Sequence, residues 1–320
     1  MVSLGRLNLS NPLILAPMSM YSDYPFRQIC RDYGASYAVT ELFHADKFVA
    51  KKDNEKRFDF YEKDLGLQFL TKDPAELKKA IEIINNREFY PKLENINSID
   101  LNIGCPAPEV IAKGKGAALL LNPEKVRPLF KVMNNYSQFP VSAKIRLGVD
   151  MKNKKAKPYL KIAKIAEQEN IDYITIHGRT ASQAYSEPAD FSAIVETVDA
   201  VNIPVVGNGG VHNEKTAEKM LEHCPALMIG LGAVYNPFIF QELDHFLKTG
   251  KKLNPDRIAE KKKCIARYFE LSERYEVGFQ HIKIHMQGFL KGMPNSQETI
   301  NALTHTRNIE EIKGLMQMFL

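Results

Sequence analysis

No apolar run in these 320 residues approaches the roughly 18 needed to span a bilayer as a helix, which excludes an ordinary membrane-spanning helix. Met1 to Asn11 lacks the basic-then-apolar plan of a signal peptide, so the expected location is the cytoplasm. Cysteine is sparse. Cys30, Cys105, Cys224 and Cys264 lie far apart and form no CxxC pair, which argues against a disulfide framework and against a structural zinc site. No metal is expected, and any special cysteine acts alone. There is no internal repeat of 20 to 50 residues and no low-complexity tract. What is present is an ordinary globular composition, 44% hydrophobic and 25% charged, in a chain about twice the usual domain length. That combination predicts one large barrel or sheet domain with an appendage.

The net charge of +5 is unevenly spread. Residues 251 to 320 hold 12 Lys or Arg against 8 Asp or Glu, leaving 31 against 30 for the rest. Such a tail fits either a polyanion partner or a solvated helical face, and charge alone does not choose.

Eight short apolar runs alternate with amphipathic stretches: Leu13 to Met18, Tyr37 to Leu42, Leu65 to Leu70, Ile99 to Gly104, Val141 to Leu147, Tyr173 to His177, Pro204 to Asn208 and Ala226 to Gly230. Helical spacing between them is clear in Pro74 to Asn85, Pro158 to Glu169 and Asn213 to His223. Near-continuous apolar strands separated by helices predict a parallel sheet covered on both faces. Eight such units in about 245 residues predict a (β/α)8 TIM barrel. A doubly wound sheet would normally have fewer strands and a Gly-rich first turn, whereas this first run ends Ala16-Pro17-Met18. The charged and aromatic stretch His44 to Asp64 is expected as a loop or small excursion at the active face. Residues 248–256, polar with a Gly and a Pro, read as a linker. Three helical stretches follow, Arg257 to Tyr275, Gln280 to Lys291 and Gln297 to Phe319. The expected domains are thus a catalytic barrel at 1–247, the linker, and a small helical domain at 257–320.

Barrels of this type carry their chemistry at the carboxyl ends of the strands. Here those ends deliver Pro17 and Met18, Glu41, Gln68, Asn102 to Pro106, Lys144 and Arg146, His177 to Thr180, Gly207 to Gly210, and Gly230 to Gly232. A single strand-end His or Asn usually just satisfies backbone groups. Convergence of Gln, Asn, Lys, Arg and His on one rim points to a ligand site. The paired glycines of runs seven and eight expose backbone where barrels bind phosphate, although tight turn geometry alone is the competing reading. Lys144 supplies positive charge, and Gln68 offers one acceptor and two donors to a planar ring edge. Flavin mononucleotide (FMN) fits that set. Cys105 stands between a strand-end glycine and a proline, on a loop over the barrel mouth, where a thiol can act as nucleophile or as proton donor. Cys30, Cys224 and Cys264 read as small buried hydrophobes.

The strings Leu15-Ala-Pro-Met18, Asn102-Ile-Gly-Cys-Pro-Ala-Pro108, Gly114-Lys-Gly-Ala-Ala-Leu119, Lys144-Ile-Arg-Leu-Gly148, His177-Gly-Arg-Thr180 and Gly207-Asn-Gly209 resemble, in order and spacing, the tRNA-dihydrouridine synthases. The resemblance extends past Pro294 and includes His285 to Gly292, which looks like the family's helical-domain motif. It implies an FMN enzyme that uses NADPH to reduce the carbon 5 to carbon 6 double bond of uridines in tRNA, with Cys105 protonating carbon 5. It implies an FMN site of Pro17, Met18, Gln68, Lys144, His177, Asn208, Gly209, Gly230 and Gly232. Asn102, Arg146 and Arg179 match positions that handle the extruded uridine, and Lys283 and Lys291, flanking the tail motif, are expected to contact RNA. The partner is tRNA, with rRNA left open, and no protein partner is inferred. Three positions depart from the family pattern: Gly210, Glu187 in Tyr185-Ser-Glu-Pro-Ala-Asp190, and Leu70. The competing readings are a small-molecule FMN oxidoreductase of the dihydroorotate or dienoyl type, which needs no basic tail, and an RNA chaperone on the same fold, which needs no Cys105.

Overall fold

Each of the eight apolar runs becomes a strand, and the strands close on one another. In the computed structural model, which describes residues 1–50, 60–87, 92–183 and 187–320, a hairpin of β1 (Val2–Leu4) and β2 (Leu7–Leu9) precedes the barrel. The barrel strands are β3 (Leu13–Leu15), β4 (Tyr37–His44), β5 (Leu65–Leu70), β6 (Ile96–Ile103), β7 (Val141–Arg146), β8 (Tyr173–His177), β9 (Val205–Asn208) and β10 (Ala226–Ile229). They pair in parallel and in sequence order, and β10 returns to β3 to complete a closed TIM barrel.

Helices pack outside: α1 (Tyr24–Asp32), α2 (Ala45–Val49), α3 (Pro74–Asn85), α4 (Pro108–Ala112), α5 (Arg127–Tyr136), α6 (Met151–Lys155), α7 (Pro158–Gln168), α8 (Phe191–Ala200), α9 (Glu214–Leu221), α10 (Leu231–Tyr235) and α11 (Ile239–Thr249). Local chemistry sets many of their starts. Asp23 accepts from the Phe26 amide with Pro25 in the first turn, Asp73 accepts from the Ala75 amide ahead of α3, and Asn213 forms a capping box with Thr216.

Two environments share the barrel interior. Toward β3, β4, β9 and β10 it is apolar, a cluster of Ile14, Ala16, Tyr37, Val39, Val206, Ala226 and Met228. Leu4, Leu7 and Leu9 of the hairpin join that cluster, and Arg6 anchors the hairpin to Asp172 at the start of β8 with bonds of 2.8 to 3.2 Å. The hairpin therefore closes the amino-terminal end. The sequence pattern assigned nothing before Leu13. Toward β5, β6 and β7 the interior is polar, with Gln68, Asp100, Asn102 and Ser142 all buried.

The tail comprises α12 (Arg257–Arg274), α13 (Phe279–Leu290), α14 (Gln297–His305) and α15 (Ile309–Met316). Two boundaries differ from expectation. Helix α11 continues through Thr249 to a left-handed Gly250, so the irregular connection is 250–256. The stretch Gln297 to Phe319 is two helices and a final short turn, because the chain is extended at Thr306 and Asn308 then caps a new helix by accepting from the Glu311 amide. Nor is the tail a separate core: Cys264, Ile265, Tyr268, Met286 and Phe289 belong to the same apolar cluster as Phe26, Val234 and Phe238 of the barrel. Gly288 makes this possible. A Cβ there would lie 2.9 Å from Val234 Cγ1, so only glycine admits so close an approach of α13 to α10. Of His44 to Asp64, the first part is the end of β4 and α2, while residues 51–59 lie outside the described residues.

Candidate active site

Parallel register puts alternate residues of neighbouring strands on one level, and the levels near the carboxyl ends of β5 to β9 carry the polar side chains. Gln68, Asp100 and Ser142 are cross-strand neighbours. Ser142 Oγ donates to Asp100 Oδ1 at 2.6 Å and Gln68 Nε2 donates to Asp100 Oδ2 at 2.7 Å. One step nearer the mouth, Asn102 Nδ2 donates to Gln68 Oε1 at 2.7 Å. Burial pushes the Asp100 carboxyl up to about 6, opposed by the bonds from Ser142 and Gln68 and by the charge of Lys144.

Across the mouth, Lys144 Nζ donates to Asn208 Oδ1 at 2.8 Å, and Asn208 Nδ2 donates to the Met228 carbonyl at 2.8 Å. Burial pulls the Lys144 ammonium down to about 7, with the charge of Arg146 adding to the effect and Asp100 opposing it. His177 is held well below its usual range by burial and then by Lys144, Arg146 and Arg179, so the ring is neutral. Arg179 Nη1 lies 3.2 Å from His177 Nε2. A guanidinium only donates, so Nε2 accepts and the ring proton sits on Nδ1.

The Cys105 loop is fixed from both sides. Asn102 Oδ1 accepts from the amides of Gly104 at 3.0 Å and Cys105 at 2.8 Å, and the Cys105 carbonyl accepts from the Ala117 amide at 3.1 Å. Arg146 braces it, with Nε on the Gly104 carbonyl at 2.9 Å and Nη1 on the Thr180 carbonyl at 2.8 Å. Cys105 is half-buried, and that burial pushes its thiol up, opposed by a bond from the Ala107 amide. The other three cysteines are buried, as expected. A thiol with a raised pKa keeps its proton at neutral pH.

The remaining predicted positions divide in two. Met18 and Gly230 are neighbours at the mouth: a Cβ on Gly230 would lie 3.3 Å from Met18 Sδ. Pro17 precedes Met18 in a loop held by Ser22, whose hydroxyl accepts from the Met18 amide and donates to the Ala16 carbonyl. Gly209 has φ +106°, and a Cβ there would sit 2.9 Å from the His177 ring, so glycine keeps a bare backbone beside the neutral imidazole. Gly210 has φ +77°, which accounts for glycine at one departure from the family pattern. Gly232 packs near the Val211 carbonyl. At a second departure, the Glu187 carbonyl accepts from Arg179 Nε at 2.7 Å, while Tyr185 and Ser186 lie outside the described residues. The third, Leu70, ends β5 fully buried. Lys283 and Lys291 are not in this network: Lys283 Nζ donates to the carbonyls of Thr304 and Thr306 at 2.9 and 3.0 Å, and Lys291 Nζ sits 4.1 Å from the centre of the Tyr235 ring.

Asp100 and Ser142 went unread in the sequence. The signal was there, since Asp100 stands two residues before Asn102 and Ser142 two before Lys144, on the same faces of their strands.

The donor set suits a planar, phosphate-bearing heteroaromatic group. Among the described residues, Gln68 retains one N–H and one acceptor lone pair and Lys144 two N–H donors, while Gly209, Gly210 and Gly230 expose backbone at the ends of β9 and β10. The dihydrouridine synthase family model matches residues 14–318. The chain is 33% identical over 305 residues to tRNA-dihydrouridine synthase B of Pseudomonas aeruginosa, covering 93% of this chain and 89% of that one. It is 31% identical over 307 residues to the probable tRNA-dihydrouridine synthase of Rickettsia conorii (93% and 90%) and 33% identical over 331 residues to tRNA-dihydrouridine synthase B of Yersinia pestis (99% and 98%). The barrel from Ile14 onward, the Cys105 loop and helices α12 to α15 fall within the matched span, and the chain belongs to the dihydrouridine synthase family.

Proposed function

We propose that this chain reduces the carbon 5 to carbon 6 double bond of uridines in tRNA, with FMN as cofactor and NADPH as reductant. FMN, when bound, supplies the hydride chemistry, and the protein supplies binding, orientation and one acid. Pro17, Met18, Gln68, Lys144, His177, Asn208, Gly209, Gly230 and Gly232 would hold the flavin. Asn102, Arg146 and Arg179 would order the uridine, which must leave its stack to enter the barrel mouth. Cys105 holds a proton at Sγ for carbon 5. The observation that carries this reading is the Cys105 loop, whose backbone Asn102 and Arg146 hold at the mouth with the thiol half-buried.

RNA contact extends to the rim in this reading. Exposed Lys72, Lys113, Lys152 and Lys155 stand on the loops and short helices after β5, β6 and β7, on the side of the mouth where Cys105 lies. The deciding experiment is Cys105→Ala. It is expected to keep the yellow colour and NADPH oxidation while turnover on tRNA falls by roughly 10²-fold or more, the scale for a lost general acid. Unchanged turnover on tRNA would remove the thiol from the mechanism.

A further inference from the structure

From the Cys105 amide through Asn102 and Gln68 to Asp100 runs one chain of hydrogen bonds with a single sense, every donor pointing toward the carboxylate. At one end is a carboxylate, which has acceptors only, so Gln68 must turn its amino group to Asp100 Oδ2. Gln68 Oε1 is then left facing Asn102, which must present Nδ2 to it. Asn102 Oδ1 in turn faces two donors, the Gly104 and Cys105 amides. Those amides can only donate, so both ends of the chain impose the same sense. Reversing either side-chain amide would set donor against donor.

We propose that Asp100 is a positioning residue: as the terminal acceptor of this chain, it holds the Cys105 backbone in place through Gln68 and Asn102. Without that acceptor, a buried Gln68 N–H has no partner, which is costly inside a barrel. Gln68 then turns toward another acceptor and withdraws Oε1 from Asn102, and the Gly104 and Cys105 amides lose a fixed partner. Ser142 touches the same carboxylate from the far side but is not a link to the cysteine. The consequence for catalysis rests on the proposed role of Cys105 as proton donor. The consequence for the loop does not.

The test is the rate of Cys105 alkylation by iodoacetamide in the full-length protein across a pH series, with Cys105→Ala as the blank. Asp100→Leu removes the acceptor at similar volume, and a loosened loop exposes the thiol. Alkylation near pH 8 is expected to accelerate about fivefold or more, with the profile shifting toward lower pH. Asp100→Asn is expected to rescue the wild-type profile, because its Oδ1 still accepts from Gln68 while its Nδ2 donates to a rotated Ser142 hydroxyl. Ser142→Ala is likewise expected to match wild type. If the leucine variant does not fold, Gln68→Met breaks the same chain one link on and takes its place. A wild-type alkylation profile in the breaking variant, or an equal change in Ser142→Ala, would overturn the proposal. Turnover on tRNA, measured in parallel, reports on the functional reading instead: inactive wild type would sink that reading and leave the alkylation result standing.

Discussion

Lys144 is the residue whose environment makes the sharpest demand on solution behaviour. With its ammonium pulled down to about 7 by burial, it is close to half-charged at neutral pH. An anionic ligand binds the ammonium form, so binding draws in a proton and affinity falls as pH rises through and above 7. Flavin phosphate is already doubly charged there, leaving the lysine as the titrating partner. FMN dissociation constants measured between pH 7 and 9 are expected to rise, by at most about tenfold per unit when the coupling is complete. Lys144→Met is expected to bind FMN more weakly and with a flat profile. A flat profile in the unmodified protein would show that Lys144 does not face the flavin's negative charge. His177 adds no slope in this window, since it is neutral throughout.

Helix α12 of the tail and helix α6 of the barrel carry two kinds of lysine that look alike in the sequence. Lys261 is buried on α12, with Nζ donating to the carbonyls of Phe289 and Lys291 at 2.9 and 2.6 Å, so it caps the end of α13. Lys261→Met leaves those carbonyls without their donor and is expected to lower unfolding free energy by about 2–3 kcal/mol in urea titrations, with no change in RNA affinity under conditions where the variant is folded. On α6 the case is reversed. Lys152 and Lys155 are exposed beside the barrel mouth, whereas Lys154 is paired with Asp190 at 2.6 Å. Replacing Lys152 and Lys155 with Gln is expected to leave stability within about 0.5 kcal/mol. The log-log salt slope of tRNA binding is expected to flatten by about 0.7–0.9 for each phosphate that is no longer neutralised. An unchanged slope would move the footprint off this part of the rim.

At the scale of the molecule, barrel and tail share one core. Tyr268 of α12 donates to Asp23, the cap of α1, and His285 of α13 stacks between Phe26 and Tyr268 with ring centres 4.7 and 4.5 Å apart. Burial pulls His285 down to about 3, so it is a neutral ring there. A chain ending at Thr249 contains all eight strands and would be expected to fold if the tail were an appendage. The shared cluster predicts otherwise: removing α12 and α13 uncovers Phe26, Val234 and Phe238, and the truncated protein is expected to be insoluble or to bind hydrophobic dye. The full chain is expected to melt in a single transition. Two separate melting steps by calorimetry would restore the independent tail.

Local pattern was sufficient for what depends on neighbours along the chain. The eight strands follow from short apolar runs, many of the helix starts from Asp or Asn caps, and the polar rim from the way parallel strands deliver their carboxyl ends to one face. Cys105 was legible because a thiol between glycine and proline at a strand end has no packing role. What the sequence could not carry is which donors are already engaged. Lys261 and Lys283 read as free charge until folding brought the carbonyls of residues 28 to 30 and 21 to 23 positions away within bonding distance. Asp100 read as part of a strand until register placed Gln68 and Ser142, from two other strands, on its two oxygens. Charge and residue type are properties of the chain, but a hydrogen-bond partner at long sequence separation exists only once the barrel has closed.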